Sequence, residues 1–536
     1  MMTFDFDMGR CRYPSRRAVV FGSRGMVATG QPLAAQAGLE ILKRGGNAVD
    51  AAVATAACLT VVEPTSNGIG GDCFAMVWAD GRLHGLNASG PAPMMADAEA
   101  LRSAGWESVP ELGWPSVTVP GAPAGWEELL RRFGRMELAD VLAPAIAYAR
   151  DGSAVSPTVA LLWRRARGKY PQDGLFAEWH RTFCPAGRSP EPGETSRLPD
   201  HARTLMRMAE RGASDLYRGE LADEIDAFSS DTGGWIRKED LVAFTPQWVE
   251  PISTRYRGLD VWELPPNGQG VSALMALKIL DGLDLPRERE SDETYHLQIE
   301  ALKLALTDAR AHVADPSSMT CAVEDMLADA YVAARRALIG REASDPAPGH
   351  PARGGTVYLA TADGEGGMVS MIQSNYMGFG SGLVVPGTGI ALHDRGACAS
   401  LDPASPNVLA PGKRPYHTII PGFLTHGGEQ LGPFGVMGGY MQPQGHVQVV
   451  SNLVDFGMGP QEALDAPRWQ WTGGRKILVE GAVPREVVDG LIARGHEARI
   501  ATDSTTFGRG QIILRTPHGT LMGATEPRTD GHVAVW

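Results

Sequence analysis

Ser344-Asp345-Pro346-Ala347-Pro348-Gly349-His350-Pro351-Ala352-Arg353-Gly354-Gly355 runs directly into Thr356-Val357-Tyr358-Leu359-Ala360-Thr361-Ala362. The first stretch carries three prolines and three glycines in twelve residues. Proline removes a backbone donor and glycine loosens the chain, so this stretch continues neither a helix nor a sheet interior. It reads as an exposed, extended linker. The second stretch reads as a strand. Gly364-Glu365-Gly366-Gly367 then makes a turn, and Met368-Val369-Ser370-Met371-Ile372-Gln373-Ser374 is the return strand of a hairpin. Further short strands and turns follow, with a helix near Pro460 to Ala466. A strand-rich C-terminal part therefore begins abruptly at Thr356.

Before the linker the chain is mixed and helix-rich. Leu33 to Arg44 has helical apolar spacing and stops at Gly45-Gly46. Asn47 is suited to cap the next helix, an Ala-rich run through Val62 that Pro64 ends. Trp126 to Phe133, Leu138 to Arg150 and Asp292 to His312 are further amphipathic helices. The last has Leu297, Ile299, Leu302, Leu304 and Ala305 on its apolar side.

The 536 residues are 43% hydrophobic and 21% charged, which excludes a wholly disordered chain. Acidic residues exceed basic ones by 62 − 49 = 13, so the net charge of −13 gives no general attraction to nucleic acid or anionic lipid. The six cysteines are scattered without a C-x-x-C pair and read as small buried thiols. The N-terminal residues Met1 to Arg17 lack an apolar signal-type core, and the apolar tract Ala48 to Val62 is too short to span a bilayer. These features lead to the expectation of a soluble cytoplasmic protein.

The sequence contains no G-x-S-x-G elbow, no Walker A motif and no H-E-x-x-H, and its 13 histidines show no ligand spacing. The junction Gly355-Thr356 is left. A threonine hydroxyl is a weak nucleophile without a base beside it. A free α-amine on the same residue is such a base, with a reference pKa of about 7.7–8.0. Cutting the bond before Thr356 would create that amine, and Gly355 leaves the scissile carbonyl unshielded. Read locally, the same dipeptide is more often a buried β-branched residue opening a strand.

Wider stretches carry a resemblance. They are Gly25-Met26-Val27-Ala28 with Pro32-Leu33-Ala34; Gly45-Gly46-Asn47-Ala48-Val49-Asp50-Ala51-Ala52 with Glu63-Pro64 and Gly68-Ile69-Gly70-Gly71-Asp72; Val119-Pro120-Gly121 with Gly125-Trp126; Pro265-Pro266-Asn267-Gly268-Gln269-Gly270; and Gly355-Thr356, Phe379-Gly380-Ser381-Gly382, Lys413-Arg414-Pro415 and Gly438-Gly439. In this order, over nearly the whole chain, they resemble the gamma-glutamyltransferase family of N-terminal-nucleophile hydrolases. The resemblance implies an α+β fold, a four-layer αββα sandwich. It implies autocleavage into a large subunit, 1–355, and a small subunit, 356–536, that stay together as one fold. It assigns the nucleophile to Thr356, a hydrogen bond to that nucleophile to Ser374, and the oxyanion hole to the backbone N–H groups of Gly438 and Gly439. It implies no cofactor and no metal.

The departures from the family pattern concern the clamp for the amino-acid part of a γ-glutamyl group. Ser89 stands where typical members have a carboxylate-binding arginine. The amine-binding positions fall near Arg395 and Cys398, and a cationic Arg395 would repel an ammonium. His417 and Thr418, after Tyr416, replace two serines. Tyr376 replaces an asparagine, with Asn375 adjacent. Tyr376, His417 and Gln442 read equally as substrate contacts or as structural residues. The expectation is an amidohydrolase for a small carboxylate-bearing acyl amide, oxamate-like or glutaryl, akin to the oxamate amidohydrolases and cephalosporin acylases of the family. Two rivals stay open: a true gamma-glutamyltransferase or glutathione hydrolase, and an uncleaved, non-enzymatic binding protein. The partners expected are a small-molecule substrate and the two autocleaved subunits for each other, with room for a higher oligomer.

Overall fold

The computed structural model describes residues 13, 17–346 and 357–536. The junction Gly355-Thr356, most of the linker and Cys11 lie outside the described residues. The hairpin takes the expected form. Val357–Asp363 and Met368–Ser374 pair antiparallel, with Val357 opposite Gln373 and Ala362 opposite Met368. It sits in the middle of a seven-stranded sheet, between Gly25–Thr29 and Asp72–Ala79. A second seven-stranded sheet includes Leu259–Glu263, Gly422–His426, Glu429–Met437 and Arg509–Arg515. Each sheet draws strands from both sides of residue 355.

Side-chain alternation builds the layers. Tyr358, Ala360, Met368 and Ile372 pack with Phe423 and Ile513 of the second sheet, so the two sheets stack face to face. The intervening Val357, Leu359, Val369 and Met371 pack instead with the helices Ala48–Val62 and Ala122–Phe133. On the far side of the second sheet, Phe434, Val436 and Ile512 pack with Gly270–Asp281, Asp292–His312 and Met441–Val454. The order is helix, sheet, sheet, helix, the αββα sandwich. With both faces covered, the hairpin strands are apolar almost throughout.

Local chemistry sets the helix ends. Asn47 Oδ1 accepts from the backbone N–H groups of Val49 and Asp50, while Asp50 accepts from that of Asn47, a reciprocal cap. Asp292–His312 matches its expected bounds, and the expected start at Trp126 moves back to Ala122, where Pro123 fits the first turn. Among the described residues, Cys58, Cys73, Cys184 and Cys398 are buried free thiols, and Cys321 is half-buried. No described helix is long and apolar enough to cross a membrane.

Candidate active site

The hairpin ends at Ser374, which stands opposite Asp72 at the start of the neighbouring strand. The chain then turns sharply. Tyr376 donates its N–H to Ser374 Oγ at 2.7 Å and has a φ of 72°, rare for a residue with a Cβ. Such strained residues gather at functional sites. Met377 N–H is tied to Asp394 Oδ1 at 2.9 Å. The Gly68-Ile69-Gly70-Gly71 stretch lies against this turn. A Cβ on Gly70 would stand 2.3 Å from the Ala391 carbonyl oxygen, and one on Gly71 2.6 Å from that of Ser374. Only glycine lets the backbones approach so closely.

That close approach brings Asp72 into a fully buried polar cluster. Its Oδ2 accepts from Arg395 Nε at 2.9 Å and from His417 Nε2 at 2.8 Å, and His393 Nδ1 lies 3.1 Å away. Burial alone would raise the Asp72 carboxyl; the rings of His393 and His417 beside it hold it well below its usual range. Burial and the Arg395 charge push His417 down to about 3. Ile419 N–H donates to His417 Nδ1 at 3.3 Å, which fits a neutral ring with its proton on Nε2. Arg395 is wholly buried, and its Nη1 donates to Thr418 Oγ1 at 2.8 Å. Its guanidinium lies 4.6 Å from the centre of the Tyr376 ring. The expectation that a cationic Arg395 repels an ammonium is corrected here. Asp72 cancels that charge at ion-pair distance, so charge alone does not exclude an amine.

Gln269 connects this cluster to the glycine pair. Its Nε2 donates to the Thr418 carbonyl at 2.6 Å and the Gly439 carbonyl at 3.0 Å, and its Oε1 accepts from Tyr416 Oη at 3.0 Å. Gly438 and Gly439, with φ of 135° and 62°, turn the chain from Glu429–Met437 into the helix Met441–Val454. The Gly438 carbonyl accepts from Met441 N–H at 3.1 Å. In a trans peptide the N–H points opposite to the carbonyl, so the Gly439 N–H is aimed away from that helix.

Several polar atoms of this region are buried with no hydrogen-bond partner among the described residues. They are Asp72 Oδ1, Asn375 Oδ1 and Nδ2, and Arg395 Nη2. Buried polar atoms are nearly always paired, so a cluster of unpaired ones marks a place where a polar ligand or water is to be held. The other expected residues serve the walls. Ser89 Oγ donates to Asn87 Oδ1 at 2.7 Å and accepts from Asn267 Nδ2 at 3.2 Å. Gln442 Oε1 accepts from Ile420 N–H at 2.9 Å. Sequence reasoning quoted Asp72, Gln269 and Asn267 inside motifs but gave them no role, and it passed over His393, Tyr440 and Arg310. Arg310 lies 4.8 Å from the centre of the Tyr440 ring, and that ring stacks on Tyr416. The adjacent His393-Asp394-Arg395 triplet was the only local signal.

Folding also gathers three groups that the sequence spacing did not suggest. Among the described residues His296, Glu300 and His496 hold potential metal-ligand atoms within 4.8 Å of one another. Lys303 Nζ, 2.6 Å from Glu300 Oε1, already supplies the counter-charge, and the two rings hydrogen-bond at 2.9 Å. This is a paired structural network.

Residues 34–536 match the profile of the Gamma-glutamyltranspeptidase family. The chain belongs to that family. It is accordingly an N-terminal-nucleophile hydrolase whose relatives act on amide C–N bonds. A glutathione hydrolase-like YwrD proenzyme of Bacillus subtilis is 36% identical, over 96% of this chain and 98% of its own length. An oxamate amidohydrolase proenzyme of Klebsiella pneumoniae is 34% identical, over 96% of this chain and 98% of its own. Among solved structures, a cephalosporin acylase from Bacillus halodurans superimposes with a TM-score of 0.94 at 56% identity, covering 99% of both chains.

Proposed function

We propose that this family member is a self-processing threonine amidohydrolase. Cleavage before Thr356 gives a large subunit, 1–355, and a small subunit, 356–536. The two remain one body because each seven-stranded sheet takes strands from both. The names of two relatives support processing, since both are called proenzymes. Thr356 is joined to Val357, the first residue of a central strand, whose partner Gln373 precedes Ser374.

In the reaction, the Thr356 hydroxyl attacks the amide carbonyl carbon and its proton passes to the Thr356 amine. The carbonyl oxygen becomes an oxyanion and accepts from the N–H groups of Gly438 and Gly439. The C–N bond breaks, the amine leaves with the proton, and an ester to Thr356 forms. Water then adds to that ester, releasing the acid and restoring the hydroxyl. These residues supply nucleophile, base and oxyanion donors, and the reading calls on no metal or organic cofactor.

The observation that carries the acyl specificity is Arg395 Nη2, a buried donor with no partner among the described residues, on a guanidinium packed against Tyr376. A carboxylate on the acyl group would accept from it, with Tyr376 Oη and Asn375 Nδ2 as further donors. An oxamate-like or glutaryl half-amide has that shape. A second reading is favoured by one atom, Asp72 Oδ1, a buried carboxylate oxygen also without a partner. It would accept from an α-ammonium and so suit a γ-glutamyl group.

Hydrolysis of glutaryl and γ-glutamyl nitroanilides tests the choice. Faster release from the glutaryl compound is expected, with loss of about 100-fold or more in kcat/KM in Arg395→Met. Faster γ-glutamyl release that Asp72→Asn selectively abolishes would install the second reading. Thr356→Ala is expected to release nothing from either compound, and normal turnover by that variant refutes the nucleophile.

A further inference from the structure

A cavity of about 490 Å³ opens at Gly438 and is lined in part by Thr65, Thr506, Arg509, Arg165 and Lys169. This volume lies within the range of about 300–1,000 Å³ common to small-molecule sites. Tyr440 and Trp471 add an aromatic wall. The polar lining is incomplete in a specific way. Thr65 Oγ1, Thr506 Oγ1 and Arg509 Nε are buried atoms without a hydrogen-bond partner among the described residues. Three unpaired donors on one cavity are a strong departure from the near-complete pairing of protein interiors.

The three cations of the lining differ in how they are held. Arg165 is paired with Asp503 at 2.7 Å and Lys169 with Glu111 at 3.0 Å. Arg509, only 6% exposed, reaches Glu63 Oε1 with Nη1 alone, at 3.5 Å, and Glu63 Oε2 has no partner. Burial raises the Glu63 carboxyl to about 7, with Arg509 drawing it down. Near neutrality the counter-charge to Arg509 is therefore only partly present.

We propose that this cavity receives the departing amine of the substrate and selects amines that bear a carboxylate, which Arg509 holds together with the hydroxyls of Thr65 and Thr506. The inference rests on the amidohydrolase reading above, because Gly438 is both an oxyanion donor in that reading and part of the cavity wall. The acyl group points to Arg395 and the amine to Arg509, so the enzyme would cleave amides with an acid group on each side of the scissile bond.

Equilibrium dialysis tests the cavity without relying on turnover. The probes are an aminonitrobenzoate and the matching nitroaniline, which differ only in the carboxylate. The intact protein is expected to bind the acid at least about tenfold more tightly, as a charge-assisted hydrogen bond predicts, and Arg509→Gln to erase the difference. Thr506→Ala is a second variant that leaves the Arg509–Glu63 pair in place; it is expected to shrink the preference about threefold. Equal binding of the two probes by the wild-type protein, or a preference that survives in both variants, overturns the proposal. The glutaryl amides of the same two amines separate the two claims. An intact binding preference without turnover removes the hydrolase reading and the departing-amine role with it, and leaves only a carboxylate-binding site at Arg509. Turnover of both amides at equal kcat/KM removes the cavity assignment and leaves the hydrolase.

Discussion

Arg395 and Arg509 are both buried arginines, yet the protein holds them in opposite ways. Arg395 is firmly held, with its Nε on Asp72 at 2.9 Å, its Nη1 on Thr418 and a ring against its face. Arg509 borders an open cavity and meets Glu63 through one arm at 3.5 Å. The Asp72 carboxyl is held well below its usual range, whereas that of Glu63 is raised to about 7. A guanidinium and a fully ionised carboxylate form a rigid pair with little net charge. A guanidinium with a partly protonated partner keeps a positive charge for something else. Both arginines are buried, Arg395 the more completely, and the state of the neighbouring carboxyl adds to the difference.

The largest effect expected from breaking this contrast is at Asp72. Asp72→Asn leaves Arg395 buried without its counter-charge, and unfolding in urea should show a loss of about 3–5 kcal/mol. The matching change Glu63→Gln, at a carboxyl already partly neutral, should cost no more than about 1 kcal/mol. Equal losses in the two variants would erase the distinction between the two arginines.

A smaller effect concerns pH. His417 is pushed down to about 3, far below the ordinary histidine value near 6.5. Between those values the unfolded chain binds the proton and the folded one does not, so this ring makes stability rise with pH across that window. Its contribution is full above about pH 6.5 and fades as the pH falls towards 3. Urea midpoints at pH 7 and pH 4.5 should therefore move less in His417→Gln than in the wild type. An unchanged pH dependence would mean that the ring is not held neutral by burial and Arg395.

The contrast between the two arginines is also a contrast in what the sequence discloses. The hairpin was legible because a proline- and glycine-rich linker cannot be strand and the next residues fit a strand covered on both faces. Asn47 and Pro64 marked the ends of a buried helix for equally local reasons. The oxyanion role proposed for Gly438 and Gly439 comes only from the family resemblance, since a glycine pair alone is an ordinary turn. The pairing of Asp72 with Arg395 and His417 joins residues 323 and 345 positions apart, and no local pattern announces it. The link depends on Gly70 and Gly71 letting two backbones touch. Thr65 likewise meets Thr506 and Arg509 only across the folded molecule, and as isolated residues they carry no signal.

The proposed hydrolysis depends on Thr356 becoming an N-terminus. Mass measurement of the freshly purified protein under denaturing conditions, beside that of Thr356→Ala, tests this most directly. The account predicts two wild-type fragments that join at Gly355 and Thr356, and a single uncut chain for the variant. A wild-type chain that stays whole after long incubation, or one that divides at a different bond, would contradict it.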